Sequence, residues 1–102
     1  MSNQNFFYRL TFKRQKLEDD YDCNALGEWF SECNKIGDEL LSQVRLNHNI
    51  FDTEWDFDEK YCYWLIDFTT TAHKKILSEG IEKLSELIKK YPQISLSKER
   101  FD

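Results

Sequence analysis

The sequence is poor in the residues that interrupt regular structure, with 3 glycines and 1 proline among 102 residues. Because glycine and proline supply many turns and helix ends, we expect long helices and strands joined by short loops. A chain of this length is expected to fold as one domain, residues 1–102.

Cysteine is also scarce, at 3 residues: Cys23, Cys33 and Cys62. Their number is odd and no two of them have a CxxC spacing, which argues against a disulfide framework and a zinc site. The longest apolar run, residues 61–66, is far shorter than a membrane span. The chain begins Met-Ser-Asn-Gln-Asn, without the basic and apolar regions of a signal peptide. We therefore expect reduced thiols and a cytoplasmic protein.

Basic residues are outnumbered 14 to 19 by acidic ones, which gives a net charge of −5. This balance argues against binding to nucleic-acid phosphates, which requires clustered Lys and Arg. Nine of the 19 acids lie in two short windows that contain no Lys or Arg. The windows hold Glu18, Asp19, Asp20 and Asp22, and Asp52, Glu54, Asp56, Asp58 and Glu59.

Two kinds of periodicity run along the chain. Residues 5–13 alternate apolar and polar side chains, which predicts a half-buried strand. Residues 23–45 and 72–91 repeat apolar residues at spacings of three and four, which predicts two amphipathic helices. Thr70 or Thr71 is a candidate N-cap for the second helix, and Pro92 is expected to end it. Gly37 and Gly80 lie on the two apolar stripes, where they would let the helices approach each other.

Residues 50–68 are predicted to form a hairpin that turns near 58–60. Alternation places Phe51, Thr53, Trp55 and Phe57 on one face of its first strand and Asp52, Glu54, Asp56 and Asp58 on the other. In its second strand, Cys62, Trp64, Ile66 and Phe68 share the apolar face, opposite Tyr61, Tyr63, Leu65, Asp67 and Thr69.

The predicted order is β-α-β-β-α, with a possible final strand at 93–97. One-sided helices and strands bury their apolar faces together when both helices cover one face of an antiparallel sheet. We therefore expect an α+β fold, a ferredoxin-like α/β sandwich with strand order 4-1-3-2. This order makes the acidic strand an edge strand.

The row of carboxylates on that strand admits three interpretations. Charges on an edge strand guard against edge-to-edge aggregation. The same charges suit docking of a basic protein. A divalent metal is the weakest candidate, because a twisted strand spreads its carboxylates apart and the EF-hand spacing is absent.

The open sheet face is also expected to carry Phe7, Tyr61 and Tyr63. Tyrosine is enriched at protein-binding hot spots. RNA-recognition domains stack bases on aromatics at this place in a sheet. The stretch Glu59–Trp64 resembles their signature, but it lacks the glycine and begins with Glu59 where a basic residue belongs.

No catalytic motif is present, and Cys33 and Cys62 fall on predicted core faces. The sequence therefore predicts a non-enzymatic inhibitor, without cofactor or metal, that covers the functional surface of a basic, nucleic-acid-processing protein. A toxin-immunity protein and a phage-encoded anti-defence protein both fit, and an RNA-binding module is the alternative. The predicted partner-binding residues are Asp52, Glu54, Asp56, Asp58, Glu59, Tyr61, Tyr63, Phe7, Asp19 and Asp20.

Overall fold

Four strands and two helices follow one another in the predicted order. The computed structural model describes residues 4–17, 23–44 and 47–99. Its elements are β1 (Gln4–Gln15), α1 (Cys23–Gln43), β2 (Asn47–Phe57), β3 (Tyr61–Ala72), α2 (Lys74–Ile88) and β4 (Ile94–Glu99). The predicted final strand is confirmed as β4, with Ile94 buried. No helix in the described parts of the chain is long and apolar enough to cross a membrane.

The strands form one antiparallel sheet in the order β2-β3-β1-β4. Read from the other edge, this is the predicted order 4-1-3-2. The ferredoxin-like α+β arrangement is therefore confirmed, and β2 is an edge strand.

The core lies between the helices and one sheet face. Leu10, Phe12, Ile66 and Phe68 supply its sheet side and are at most 2% exposed, and Leu84 of α2 packs against them. Full burial of one such side chain contributes roughly 1.5–3 kcal/mol. The even-numbered residues of β1 therefore face the core, as their alternation predicts.

Gly37 sets how closely α1 approaches the sheet. A Cβ atom at this position would meet Ile66 Cδ1 at 2.8 Å, with Phe12 Cζ next at 3.8 Å. Gly37 thus marks close packing of α1 on β3 and β1, since the atoms nearest to that Cβ belong to the sheet and not to α2. Helix α1 lies over the two central strands, and β2 is exposed along its length except for half-buried Ile50.

Helix α2 begins at Lys74, with His73 as an N-cap that makes no side-chain capping bond. The sequence pattern predicts Thr70 or Thr71 at this cap, but both belong to β3 and pair with Phe6 and Asn5 of β1. The β-branched threonines extend the strand because they fit a pleated surface.

A β-bulge interrupts β2 near its middle. Ile50 pairs with Phe68, and Asp52 pairs with Asp67, so Phe51 is the extra residue. The ring of Phe51 lies 6.0 Å from that of Phe7, edge to face, on the side of the sheet away from the helices. The prediction that Phe51 shares a face with Trp55 and Phe57 is therefore wrong, because the extra residue shifts the alternation by one.

Candidate functional site

The acidic row of β2, defined here as Asp52, Glu54 and Asp56, lies on the open face of the sheet. These residues pair with Asp67, Leu65 and Tyr63 of β3, and all three are exposed. None of the three forms an ion pair with a Lys or Arg among residues 4–17, 23–44 and 47–99. The row therefore presents its negative charge to solvent, as the alternation predicts.

Asp67 adds a buried carboxylate behind the acidic row. It is 3% exposed, and one oxygen each of Asp52, Glu54 and Asp67 lie within 4.8 Å of one another. Arg9 donates to both Asp67 oxygens, from Nε at 2.7 Å and from Nη2 at 3.1 Å. This cluster of three carboxylates and one arginine therefore keeps a formal charge of −2.

The sequence does not single out this ion pair. Arg9 and Asp67 both fall on the predicted open face, but their contact depends on the register between β1 and β3. Because Arg9 pairs with Asp67, this ion pair adds no net charge to the acidic row.

Asp58 closes the hairpin turn, although alternation predicts it as a fourth member of the row. Its Oδ1 accepts hydrogen bonds from the backbone N–H groups of Lys60 and Tyr61, at 2.9 and 2.8 Å, and its Oδ2 accepts one from the Tyr63 hydroxyl at 2.8 Å. The Tyr63 hydroxyl and the two backbone donors lower the pKa of Asp58, and the same bond to Asp58 raises the pKa of Tyr63. Asp58 therefore orders the turn and fixes the Tyr63 side chain.

Tyr61 and Tyr63 lie side by side next to the acidic row, with ring centroids 6.5 Å apart. The Lys13 ammonium lies over the Tyr61 ring, 3.9 Å from its centroid. Glu59 is exposed in the turn beside them. Two of the three predicted aromatic residues are thus brought together with the acids.

Phe7 is not part of this group. It lies six residues before Lys13 on β1, which corresponds to about 20 Å along a strand, and it contacts Phe51 instead. Phe7 therefore belongs to the opposite end of the open face. The predicted residues Asp19 and Asp20 lie outside the described residues.

The helix-side face of β2 carries an apolar patch, defined here as Trp55 and Phe57. Alternation predicts that these residues share a face, but not that the face remains exposed. These side chains are 52% and 55% exposed and stack at 5.2 Å between ring centroids. Phe30 of α1 stacks on Trp64 at 4.3 Å and reaches Trp55 at 6.4 Å, so α1 covers β3 but only the margin of β2. The edge position predicted for β2 was the available signal that this apolar face would remain exposed.

Comparison with known proteins gives a likeness of fold. No family model matches this chain, and no curated protein matches it. Among solved structures, it is similar to an amidase of the hydantoinase/carbamoylase family from Burkholderia phymatum, with a TM-score of 0.50 and 9% identity. That likeness covers 99% of this chain and 30% of the amidase chain. A de novo designed protein, Ferredog-Diesel, is 15% identical at a TM-score of 0.35, over 95% of this chain and 87% of the designed one.

Proposed function

We propose that this protein is a small acidic inhibitor that binds a basic, nucleic-acid-processing protein and covers its functional surface. The observation that carries the proposal is the exposure of Asp52, Glu54 and Asp56 side by side on an edge strand, without a paired cation in the described parts of the chain. Such an inhibitor would act in one of two settings. It would neutralise a toxin as an immunity protein, or block a host defence complex as a phage-encoded anti-defence protein.

The energetics of the acidic row favour a cationic partner. Carboxylate oxygens of Asp52 and Glu54 lie within 4.8 Å of each other, and two unit charges at that separation repel by about 0.9 kcal/mol in water. A positively charged surface opposite the row relieves this repulsion and adds attraction. Complementary charge also accelerates encounter, so the row is expected to raise the association rate.

The tyrosines next to the row provide ordered contact area. Tyr63 is held by its bond to Asp58 and Tyr61 by the ammonium of Lys13. Side chains that are ordered before binding lose less conformational entropy in the complex, and tyrosine is common among hot-spot residues. We expect Tyr61 and Tyr63 to anchor the partner that the carboxylates attract.

The proposal sets this encounter in the cytoplasm and assigns the protein no enzymatic activity. Cys33 is a free, buried cysteine, which suits a reducing compartment.

A pair of charge-matched variants tests the proposal. The first changes the row, as Asp52→Asn, Glu54→Gln and Asp56→Asn. The control changes exposed helix residues, as Asp38→Asn, Glu79→Gln and Glu82→Gln. Each set removes three negative charges, so both take the formal net charge from −5 to −2.

Affinity capture from the source cells, followed by an activity assay on each purified basic protein recovered, supplies the readout. We expect wild type and control variant to bind and inhibit the same protein, and the row variant to lose both effects. Binding should weaken as salt rises from about 0.1 to about 1 M, where the screening length falls from about 10 to about 3 Å. Equal binding by the two variants would show that the row only guards the edge.

RNA binding on the open face receives less support. The row repels phosphates, and the ammonium of Lys13 occupies one face of the Tyr61 ring on which a base would stack. Retention of the protein on single-stranded RNA, lost in the double variant Tyr61→Ala and Tyr63→Ala, would overturn the inhibitor proposal.

A further inference from the structure

We propose that the partner adds an extended segment to β2 as a fifth strand, and that basic and apolar residues alternate along that segment. The inference rests on the proposed function, because it specifies how the acidic row engages a basic protein. Addition of a strand at an exposed sheet edge is a known mode of peptide recognition, in which backbone hydrogen bonds give affinity and alternate side chains give specificity.

The hydrogen-bond ladder of the hairpin determines which backbone groups of β2 point outward. The N–H of Asp58 donates to the carbonyl of Tyr61 at 3.0 Å, so these residues form a hydrogen-bonded pair beside the turn. Hydrogen-bonded pairs alternate along an antiparallel ladder, and the register places the next ones at Asp56, Glu54 and Asp52. The residues between them therefore direct their N–H and carbonyl groups away from β3.

Thr53, Trp55 and Phe57 are these outward residues, but one of their donors is already used. The Asp56 carboxylate accepts a hydrogen bond from the N–H of Phe57 at 2.8 Å. Thr53 and Trp55 keep both backbone groups directed at the edge. An added strand would consequently pair mainly with the segment from Asp52 to Asp56, between the bulge and the turn.

The side chains of this segment define the chemistry of the added strand. Residues directly opposite one another in neighbouring strands lie on the same sheet face. Partner residues opposite Asp52, Glu54 and Asp56 would lie on the acidic open face, where Lys and Arg are favoured. Residues opposite Thr53 and Trp55 would lie beside the apolar patch, where Val, Ile or an aromatic residue is favoured. Either strand direction keeps this alternation.

A second copy of this chain is a poorer occupant of the same edge. Antiparallel pairing of two β2 strands about Glu54 places Glu54 opposite Glu54 and Asp52 opposite Asp56. Pairing about Trp55 places Glu54 opposite Asp56. Like charges directly opposite one another destabilise a strand pair, so the row discourages self-pairing and selects a cationic strand.

Hydrogen exchange on the full chain, read residue by residue by NMR, tests the inference. The probe is the peptide Lys-Val-Lys-Val-Lys-Val-Lys, and the control peptide of the same composition is Lys-Lys-Val-Val-Val-Lys-Lys. We expect the probe to slow exchange of the Thr53 and Trp55 amides at least tenfold. The Glu54 amide, which is bonded to β3 in the free protein, is expected to change less, and the control peptide to have little effect.

Two variants separate edge pairing from simple charge attraction. Thr53→Pro removes an outward N–H and leaves the bonds to β3 intact, because proline is tolerated where an edge strand faces solvent. We expect it to abolish the protection at Trp55. The row variant, Asp52→Asn with Glu54→Gln and Asp56→Asn, should weaken peptide binding about tenfold, from three cross-strand charge pairs.

The outcomes distinguish this inference from the proposed function. Equal probe affinity for wild type and Thr53→Pro, with loss of affinity in the row variant, would overturn strand addition and leave a docking surface on the open face. Failure of the probe to protect Thr53 and Trp55 in the wild type also overturns the inference, whether or not Thr53→Pro folds. Protection that rises with protein concentration without peptide would identify a second copy as the occupant.

Discussion

Replacing Gly37 by alanine tests how closely α1 must approach the sheet. Alanine is favoured over glycine in a helix interior by about 1 kcal/mol. The added Cβ would lie 2.8 Å from Ile66 Cδ1, inside the shortest contact that carbon atoms adopt, and Ile66 is fully buried. Overpacking of a core costs about 1–3 kcal/mol. We therefore expect Gly37→Ala to lower the free energy of unfolding by up to about 2 kcal/mol.

The variant Ile66→Val identifies the cause, because valine lacks the Cδ1 atom that the new methyl group meets. Alone, this substitution should cost about 0.5–1.5 kcal/mol, as is usual for loss of one buried methyl group. In the Gly37→Ala background it should cost less, or even stabilise, because it makes room for the alanine. The expected coupling energy between the two substitutions is about 1 kcal/mol.

Urea unfolding of the wild type, both single variants and the double variant gives the four free energies needed for this cycle. Strictly additive effects, or a Gly37→Ala variant more stable than wild type, would refute the close contact between α1 and β3. The position of α1 over the central strands would then need another explanation.

Three further predictions concern named side chains. Arg9→Met should lower the free energy of unfolding by about 3 kcal/mol in urea titrations, because it leaves the Asp67 carboxylate buried without its guanidinium. Arg9→Lys should be more stable than Arg9→Met but less stable than wild type, since lysine keeps the charge but cannot bind the carboxylate in a bidentate way. Burial raises the pKa of the Cys33 thiol to about 12, so mass spectrometry should find Cys33 unlabelled by a disulfide reagent near pH 8 until the protein is unfolded. Asp58→Ala should lower the melting temperature, because the turn loses three hydrogen bonds. The lowered pKa of Asp58 means that its contribution is present above the ordinary carboxyl value of 3.8 and is lost as the pH falls below it, so melting curves of wild type and Asp58→Ala should converge in acid.

The fold was predictable because its signals are local. Alternation in β1 and the apolar stripes of α1 and α2 each concern neighbouring residues, and their order along the chain leaves few antiparallel arrangements. The acidic row was predictable for the same reason, since alternation alone separates Asp52, Glu54 and Asp56 from Thr53, Trp55 and Phe57.

The unpredicted features depend on long-range geometry. Arg9 and Asp67 are 58 residues apart, and only the register of β1 against β3 brings them together. The bulge at Phe51 breaks the alternation without a glycine to mark it. The part of Asp58 in closing the turn follows from the position of the turn, which side-chain alternation does not specify.

The bulge divides β2 into two stretches under different constraints. Before it, Ile50 is half-buried against the core, and after it every residue from Asp52 to Phe57 is exposed. Substitutions in the second stretch therefore alter few buried contacts, so their effects on stability should be small. Residues of this stretch can therefore be exchanged while the framework is kept. The residues from Asp52 to Phe57 are therefore a suitable place for grafting new recognition sequences onto this sheet.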